Sequence, residues 1–519
     1  MVFTYNNRKM LKKTSLLLSL LLITVSSCSL EEEVFSDLSV DSFKTAEDAQ
    51  AAVTAVYSGL LVGSGFGYYG KDYFTLAEVP SDVVGSDQAE VAQFDKFTAT
   101  NTNTVTEKLW KDIYDLVANA NIAVARISEM PVTGNTFTGL PDESLKNSLI
   151  AEARFLRGLA YYDLTDLWGR VPLVTQPLTS SDDIVSFKPS KATKEELDQQ
   201  ILDDFNFAAE FLPDGWGMDN AGRADKSSAW GMLTKFYLRE RNWDKVLEFA
   251  NKVINEGSHT MYSGHPLELW NADNVNDPEF LFSVKSAGAR YNASATLNMM
   301  FTIWAYNGGW SNYNIPVTVI AGMEDGDLRR ETIVTAYGWT AYANYTYGYS
   351  YSDDPHYLKK YAYHVPSMGW AYSWYYPPAS PAYQAYQNFG VTIPILRYTD
   401  IYLAKAEAIN EMSGPGASVI EMINNVRTRS GLPALDIATA PGGNPWSTTS
   451  LRMQILQERK SEFVGEGGKR RQDLIRHNLF EETLTQHFAD LGLNIAVTSD
   501  DILHEIPLNE QENNPNLIE

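Results

Sequence analysis

Residues 225–257 read DKSSAWGMLTKFYLRERNWDKVLEFANKVINEG, and this stretch decides the fold class of the chain. Its apolar residues recur at helical spacing in two blocks, which predicts helices over 225–240 and 243–256. The apolar faces of the two helices are formed by Trp230, Leu233, Tyr237, Val246, Phe249, Ala250 and Val253. Only a short turn at Arg241 and Asn242 joins the helices, so the sequence predicts an antiparallel pair.

Two antiparallel helices within about 34 residues resemble a tetratricopeptide unit. One unit cannot bury its own apolar face, because stacked neighbours complete each repeat, so further helices are required. Helical spacing predicts them at 44–62, 105–130 and 142–168, and a further one within 193–256 precedes the pair. In the C-terminal part they are predicted at 399–412, 416–430, 449–464 and 473–480. Residues 63–104 are predicted to be loop-like and residues 501–519 extended. The predicted fold class is mainly α, with a tetratricopeptide-like helical-repeat scaffold.

The stretch 257–393 interrupts this scaffold with a different composition. Helical periodicity disappears there, and residues 337–386 contain fourteen Tyr and three Trp in fifty positions. Gly and Pro break the stretch repeatedly, which excludes one continuous buried helix or strand. Tyr at every second position over 345–351 favours a short strand with one Tyr face. The sequence therefore predicts a long, irregular, loop-rich insert.

The aromatic rings of this insert indicate a recognition surface, because Tyr and Trp combine an apolar body with a polar tip. Pyranose rings present flat C–H faces that stack on such rings, and their hydroxyls require hydrogen-bonding side chains nearby. The residues predicted to contact a ligand are Trp304, Trp310, Trp339, Tyr345, Tyr349, Trp370, Trp374 and Tyr375. The alternative, expected for about two-thirds of the rings in the insert, is packing onto the scaffold.

The first thirty residues predict secretion and lipidation. Four cations precede an apolar run over 16–25, which is far shorter than the roughly 20 residues that span a bilayer. Small residues then lead to the lone cysteine, Cys28, as in a bacterial lipobox, where the cysteine is diacylated and becomes the N-terminus. The alternative is a buried free cysteine. The sequence predicts a signal peptide over 1–27, with Met1 or Met10 as its start, and a stable lipid anchor at Cys28.

Three acids follow the lipidated cysteine at positions 31–33. They resemble the surface-export signal of lipoproteins in some Gram-negative bacteria, and the alternative is a solvated acidic tether. The predicted location is the outer membrane, with the folded part exposed at the cell surface.

The charge and the metal-binding residues exclude other classes of function. The chain has 41 Lys and Arg against 65 Asp and Glu, a net charge of −24, whereas nucleic-acid binding requires a basic face. A single cysteine excludes an internal disulfide and a multi-thiolate metal site. The seven histidines lack ligand spacing, so no transition metal and no cofactor are predicted. A calcium site at Asp82 or Asp87 remains an open alternative.

Two further motifs are weak indications of chemistry. Gly65-Phe-Gly67-Tyr-Tyr-Gly70 matches G-x-G-x-x-G, but it follows a helix rather than a strand, so a dinucleotide site is not predicted. The loop is still a candidate border of a ligand site. Glu458 and Glu462 lie four residues apart on a predicted helix, a spacing that would suit an acid/base pair. Because Arg and Lys are interleaved with them, a solvated or structural ion-pair network is the favoured interpretation, and no catalytic residue is predicted.

Several motifs, in their order along the chain, carry a resemblance to a known family. They are EARFLRGLAYYDL (152–164), LWGRVPL (167–173), LRYTDIYLAKAEAINE (396–411), INNVRTRSGLP (423–433), ERKSEF (458–463) with Glu466-Gly, Arg470 and DLIR (473–476), and EIP (505–507) with NPNL (514–517). Together with the lipobox, these segments resemble the SusD/RagB family of outer-membrane lipoproteins over essentially the whole mature chain. Arg471, where the family often has an aromatic residue, and the additional glycine at Gly467-Gly468 depart from the pattern.

The resemblance implies a SusD-like helical scaffold that supports an irregular binding face. It also implies a position as a lid over a SusC-like TonB-dependent transporter, with capture of oligosaccharides or, in some branches, of peptides. The predicted organisation is a signal peptide (1–27), a lipidated tether (28–43), an N-terminal helical scaffold (44–256), an aromatic-rich insert (257–393) and a C-terminal helical region with a tail (394–519).

The expected function is that of a cell-surface lipoprotein that binds oligo- or polysaccharide without cleaving it and delivers it to that transporter. One alternative is a RagB-like lipoprotein that captures peptides. The other is a secreted helical glycoside hydrolase, which requires two carboxylates across the scissile bond.

Overall fold

The computed structural model describes residues 43–61, 67–178, 185–217, 220–271, 274–285, 312–335, 356–358, 364–365, 369–370 and 392–518. Residues 45–519 form one compact unit, and residues 1–44 belong to another. The predicted signal peptide and Cys28 lie outside the described residues. None of the helices in the described part of the chain has the length and apolar character that a bilayer crossing requires.

The described residues are mainly helical. In the first half of the chain the α-helices are α1 (Ala46–Ser58), α2 (Asp72–Ala77), α3 (Ala92–Asp95), α4 (Thr104–Glu129), α5 (Glu143–Trp168), α6 (Lys194–Phe211), α7 (Lys226–Arg239) and α8 (Trp243–Asn255). They continue with α9 (Val317–Ala321), α10 (Tyr398–Ser413), α11 (Ala417–Arg429), α12 (Thr448–Glu462), α13 (Lys469–Arg476), α14 (Phe480–Asp490) and α15 (Leu508–Asn513).

Short strands occur between α8 and α10, in the region predicted to be the insert. They are β1 (Phe280–Lys285), β2 (Ile333–Thr335), β3 (His356–Leu358), β4 (His364–Val365), β5 (Gly369–Trp370) and β6 (Thr392–Arg397). They form three antiparallel pairs, β1 with β6, β2 with β3 and β4 with β5. The pair β1–β6 flanks residues 286–391, which make up most of the predicted insert.

The long helices begin where the sequence supplies a capping side chain. At the start of α1 the hydroxyl of Thr45 accepts a hydrogen bond from the backbone N–H of Asp48, and the carboxylate of Asp48 accepts one from the backbone N–H of Thr45. Thr193 and Glu196 form the same reciprocal capping box at the start of α6. These bonds satisfy backbone N–H groups that have no partner within the first turn. At the other end of α5, Gly169 adopts a φ of 69°, which a glycine tolerates without strain.

The helix pair predicted over 225–240 and 243–256 corresponds to α7 and α8. All four apolar residues assigned to the face of α8, Val246, Phe249, Ala250 and Val253, are buried. Successive helices pack against each other, α4 on α5, α5 on α6 and α7 on α8, and α8 also packs on α10. The mainly helical, tetratricopeptide-like fold is therefore confirmed, and the C-terminal half completes the stack.

Three local predictions differ from the structure. The helix predicted over 473–480 is wrong, since α13 ends at Arg476 and α14 begins at Phe480, with Asn478 at a φ of 55° between them. The predicted loop at 63–104 contains the short helices α2 and α3. The extended tail predicted over 501–519 is also wrong, because it contains α15 and a 3-10 turn at Pro515–Leu517. The domain limits placed at residues 256 and 393 stay predictions.

Candidate binding site

The predicted ligand contacts fall almost entirely outside the described residues. This applies to Trp304, Trp310, Trp339, Tyr345, Tyr349, Trp374 and Tyr375. The backbone of Trp370 lies in β5, where it pairs with His364 of β4, but its side chain is not among the described parts. The arrangement of these rings therefore stays a prediction. The described residues show instead the foundation that carries the insert.

We call this foundation the insert base: strands β1 and β6 together with residues 312–315. Lys285 at the end of β1 pairs with Thr392 at the start of β6, so the chain enters and leaves the insert at neighbouring points. The side chains of Phe280, Leu281, Phe282 and Val284 are all buried, as are those of Ile393 and Leu396. Covering on both faces fixes these strands more firmly than burial of one face alone.

Helix α7 packs closely against strands β1 and β6 at Gly231. A Cβ on Gly231 would lie 3.0 Å from Leu396 Cδ1 and 3.2 Å from Leu281 Cδ2. The hydroxyl of Ser228 donates to the backbone oxygen of Leu281 at 2.7 Å. A glycine in the interior of a helix therefore has a packing reason here, because a larger residue would push the two strands away.

A second support reaches residues 312–315 from the segment 67–95. Gly85 and Asn314 exchange two backbone hydrogen bonds, each of 2.9 Å. Ser86 Oγ donates to the backbone oxygen of Asn312 at 2.5 Å, and the hydroxyls of Thr75 and Tyr313 lie 2.5 Å apart. The 67–95 segment is thus bound to the insert base at several points.

The same segment is fixed to helices α4 and α5 through two tyrosines. Tyr68 Oη donates to Asp163 Oδ2 at 2.7 Å, and Tyr69 Oη donates to the same oxygen. The backbone N–H of Tyr68 donates to Asp112 Oδ2 at 3.3 Å. Burial raises the pKa of Asp163 to about 7, although the hydrogen bonds from Tyr69 and Tyr68 act in the opposite direction. Tyr68 and Tyr69 belong to the G-x-G-x-x-G match, and these two tyrosines serve packing.

Two further carboxylates fix the segment to the C-terminal half. Glu78 accepts backbone N–H bonds from Gly465, at 3.0 Å, and from Gly468, and burial raises its pKa to about 7. Asp82 accepts from Arg470 at 2.7 and 3.0 Å and from Lys460 at 2.7 Å. Burial acts to raise the pKa of Asp82, but the two cations outweigh it and hold the pKa well below its ordinary value.

These contacts bear on the open calcium alternative. Both oxygens of Asp82 accept hydrogen bonds from cations, and Asp87 is exposed. Within the described residues, no group of three or more His, Cys, Asp or Glu is arranged to hold a metal ion.

Glu458 and Glu462 form a structural ion-pair network, as the favoured interpretation predicted, but they are buried rather than solvated. Arginines from other elements form ion pairs with both carboxylates. These ion pairs are Arg329–Glu458 at 2.6 Å, Arg427–Glu458 at 3.5 Å, Arg397–Glu462 at 2.6 Å, Arg429–Glu462 at 2.5 Å and Arg329–Glu462 at 3.4 Å. Since Arg397 ends β6, the network joins the insert base to α11 and α12.

The contacts around Asp163 were not predicted, although the sequence carried a signal for them. The segment 152–164 is apolar except for Glu152, Arg154, Arg157 and Asp163, and all but Arg154 are buried. Glu152 pairs with Arg223, and Arg157 pairs with Asp204 at 2.8 Å. Charged residues on the buried side of a helix require partners, so they indicate tertiary contacts without naming them.

Comparisons with known proteins agree with this architecture. The SusD family model matches residues 271–500, and the model described as starch-binding associating with outer membrane matches residues 31–238. The chain is 27% identical over 536 residues to SusD-like protein P2 of Formosa agariphila, covering 98% of this chain and 99% of that protein.

Solved structures show the same fold. The surface glycan-binding protein A from Bacteroides uniformis superposes with a TM-score of 0.72 at 19% identity, covering 91% of this chain and 99% of that one. A laminarin binding SusD-like protein gives a TM-score of 0.69 at 23% identity, with 91% and 98% covered. With family models that match residues 31–238 and 271–500, and with the quoted motifs in family order, this chain belongs to the SusD/RagB family.

Proposed function

We propose that this protein is a cell-surface lipoprotein that binds oligo- or polysaccharide without cleaving it and delivers it to a SusC-like TonB-dependent transporter. The observation that carries the proposal is the concentration of Tyr and Trp in one insert of a SusD/RagB scaffold, fourteen and three within residues 337–386. Support comes from similar proteins whose names refer to glycans or laminarin, and from a matching family model named for starch binding and the outer membrane.

The insert base supports this proposal because its strands are buried and ion-paired. Strands β1 and β6 are buried, and Arg397 at the end of β6 is held by Glu279 at 3.1 Å and Glu462 at 2.6 Å. We expect such a base to lower the entropic cost of ordering ligand-binding rings, a cost that otherwise weakens binding. Each stacked ring contributes on the order of 1 kcal/mol beyond the area it buries.

The choice of ligands follows from the charge of the insert. Residues 286–311 and 336–391 contain only five charged side chains among 82 positions, while the whole chain carries a net charge of −24. The net negative charge of the chain would repel an anionic polymer. Uncharged polysaccharides such as laminarin, xyloglucan and starch are therefore the first ligands for titration calorimetry with the mature chain, and a panel without any binding would contradict the proposal.

Replacement of single insert tryptophans by alanine is expected to weaken binding of a glycan found in this way. The five variants are Trp304→Ala, Trp310→Ala, Trp339→Ala, Trp370→Ala and Trp374→Ala. We expect at least one of them to raise the Kd about five-fold or more, which corresponds to about 1 kcal/mol of lost stacking. The matched control is Trp446→Ala, whose indole donates to Asp436 O at 2.9 Å in the C-terminal half. Equal affinity in all six variants would exclude tryptophan stacking.

The same protein samples test the two alternative functions, peptide capture and glycoside hydrolysis. Titration with a protein digest in place of glycans tests the RagB-like capture of peptides, which would rely on backbone hydrogen bonds. Release of reducing ends from a bound glycan would identify a glycoside hydrolase. The burial of Glu458 and Glu462 within ion pairs disfavours these two carboxylates as its catalytic pair.

Lipid anchoring is expected to depend on one residue. Cys28→Ser should shift the protein from the outer-membrane fraction to the soluble fraction and abolish labelling by a radioactive fatty acid, because the acyl chains have no other attachment site. Ser29→Ala, next to it, serves as the control and should leave both results unchanged. Membrane retention of the Cys28→Ser variant would contradict the lipobox interpretation. Co-purification of the anchored protein with a transporter barrel tests the delivery step.

A further inference from the structure

Two buried carboxylates, Asp163 and Glu78, fix the 67–95 segment through hydrogen bonds. Asp163 is 1% exposed and Glu78 is 0% exposed. Asp163 accepts from the hydroxyls of Tyr68 and Tyr69, and Glu78 accepts from the backbone N–H groups of the 465–468 loop. In the described part of the chain neither carboxylate forms an ion pair with a lysine or an arginine. A charge buried in this way is costly, so the neutral form is favoured.

The charged and titratable groups around Asp163 do not remove this cost. Asp166 on the same helix raises the pKa of Asp163 further, and Tyr73 from the 67–95 segment lowers it through a hydrogen bond. A cavity next to Asp163 is also lined by Lys235, Glu466 and Lys469. Lys235 is ion-paired with Asp400 at 3.1 Å, and Lys469 donates to the backbone oxygen of Glu466 at 2.9 Å.

The surroundings of Glu78 are likewise balanced in favour of protonation. Burial is the largest influence and raises the pKa, and Glu466 adds to it. Lys469 and the N–H groups of Gly465 and Gly468 lower the pKa, but the result is still about 7. Arg470, which also interacts with Glu78, is bound in a fork to Asp82.

We propose that the 67–95 segment links the helical scaffold to the insert base in a proton-dependent manner. This link is most stable when Asp163 and Glu78 are protonated. Gly85, Ser86 and Thr75 connect the segment to residues 312–315 by hydrogen bonds, so the stability of the segment affects that of the insert base. This inference rests on these contacts and does not depend on the ligand proposed above.

The direction of the effect follows from linkage. Both carboxylates have a folded-state pKa of about 7, above their ordinary values of 3.8 and 4.5. The folded state therefore keeps protons that the unfolded state has already released, and the stabilisation is lost as the pH rises through about 7. Asp82 on the same segment has the opposite shift, so its contribution is constant between pH 5.5 and 8.0.

Hydrogen exchange of the full mature chain tests the inference. After correction for intrinsic rates, amides of residues 67–95 are expected to be at least about tenfold more protected at pH 5.5 than at pH 8.0. Asp163→Asn and Glu78→Gln imitate the neutral side chains, so each should reduce this ratio and the double variant should reduce it further. Burial also raises the pKa of Asp95 and of Asp112 to about 6, so these two carboxylates keep the ratio of the double variant above one.

The control and a second measurement keep the test decisive. Asp82→Asn should lower protection at both pH values and preserve the ratio, because Asp82 is charged at both. An infrared titration of the unmodified protein should show carboxylic-acid C=O absorption that disappears between pH 5.5 and 8.0, and this measurement needs no variant to fold. A wild-type ratio near one, an unchanged ratio in the double variant, or no infrared change would each overturn the proposal.

Discussion

Replacing Arg397 by methionine is expected to lower the free energy of unfolding by about 3–5 kcal/mol. The arginine side chain is 2% exposed and faces three carboxylates, Glu279 at 3.1 Å, Glu462 at 2.6 Å and Glu466 at 2.9 Å. Methionine fills much of the same volume but carries no charge, so three buried acids lose their shared cation. The penalty for uncompensated buried charge is larger than the worth of the ion pairs themselves.

Urea unfolding followed by circular dichroism measures this effect, and two further variants identify its cause. Lys111→Met removes a cation from an exposed pair with Asp115, and we expect a loss of no more than about 1 kcal/mol. Adding Glu279→Gln to Arg397→Met should recover part of the lost stability, because it removes one of the uncompensated charges. A loss below 1 kcal/mol for Arg397→Met, or no recovery in the double variant, would show that the acids are neutral or solvated.

The helical part of the fold was predictable because its signals are local. The apolar face of α8 can be derived from four residues at helical spacing, and capping pairs such as Thr193 with Glu196 lie three residues apart. The break between α13 and α14 was missed, because Ile475 and Leu479, four residues apart, continue the helical spacing of apolar residues across it. The turn at Asn478 depends on a left-handed backbone that this pattern does not encode.

The candidate site was predictable in kind but not in structure. Composition alone indicated an aromatic insert, since clustering of Tyr and Trp is a property of the sequence. The insert base depends on contacts between distant positions, such as Tyr68 with Asp163 and Gly85 with Asn314. Asp82 and Arg470 are 388 residues apart along the chain. A charged residue in an apolar helix shows that a partner is required, but only the tertiary fold determines which one.

Replacing Phe155 by alanine is expected to lower the free energy of unfolding by about 3–5 kcal/mol and to loosen the insert base. Phe155 lies on α5 and is fully buried, with its ring edge-on to Phe282 of β1 at a centroid distance of 4.9 Å. Phe205 of α6 packs on it from another side at 5.8 Å. Alanine would leave a cavity between the scaffold helices and the strand that leads into the insert.

The matched control is Phe137→Ala, the same chemical change at a side chain that is 81% exposed, which we expect to alter stability by less than about 0.5 kcal/mol. The two effects of Phe155→Ala are separable, because urea unfolding measures global stability while hydrogen exchange of residues 280–285 reports on β1 itself. If packing of α5 against β1 fixes the insert base, exchange in β1 should accelerate more than exchange in the distant helix α11. A uniform acceleration throughout the chain would show that Phe155 supports only the global fold and does not position the insert.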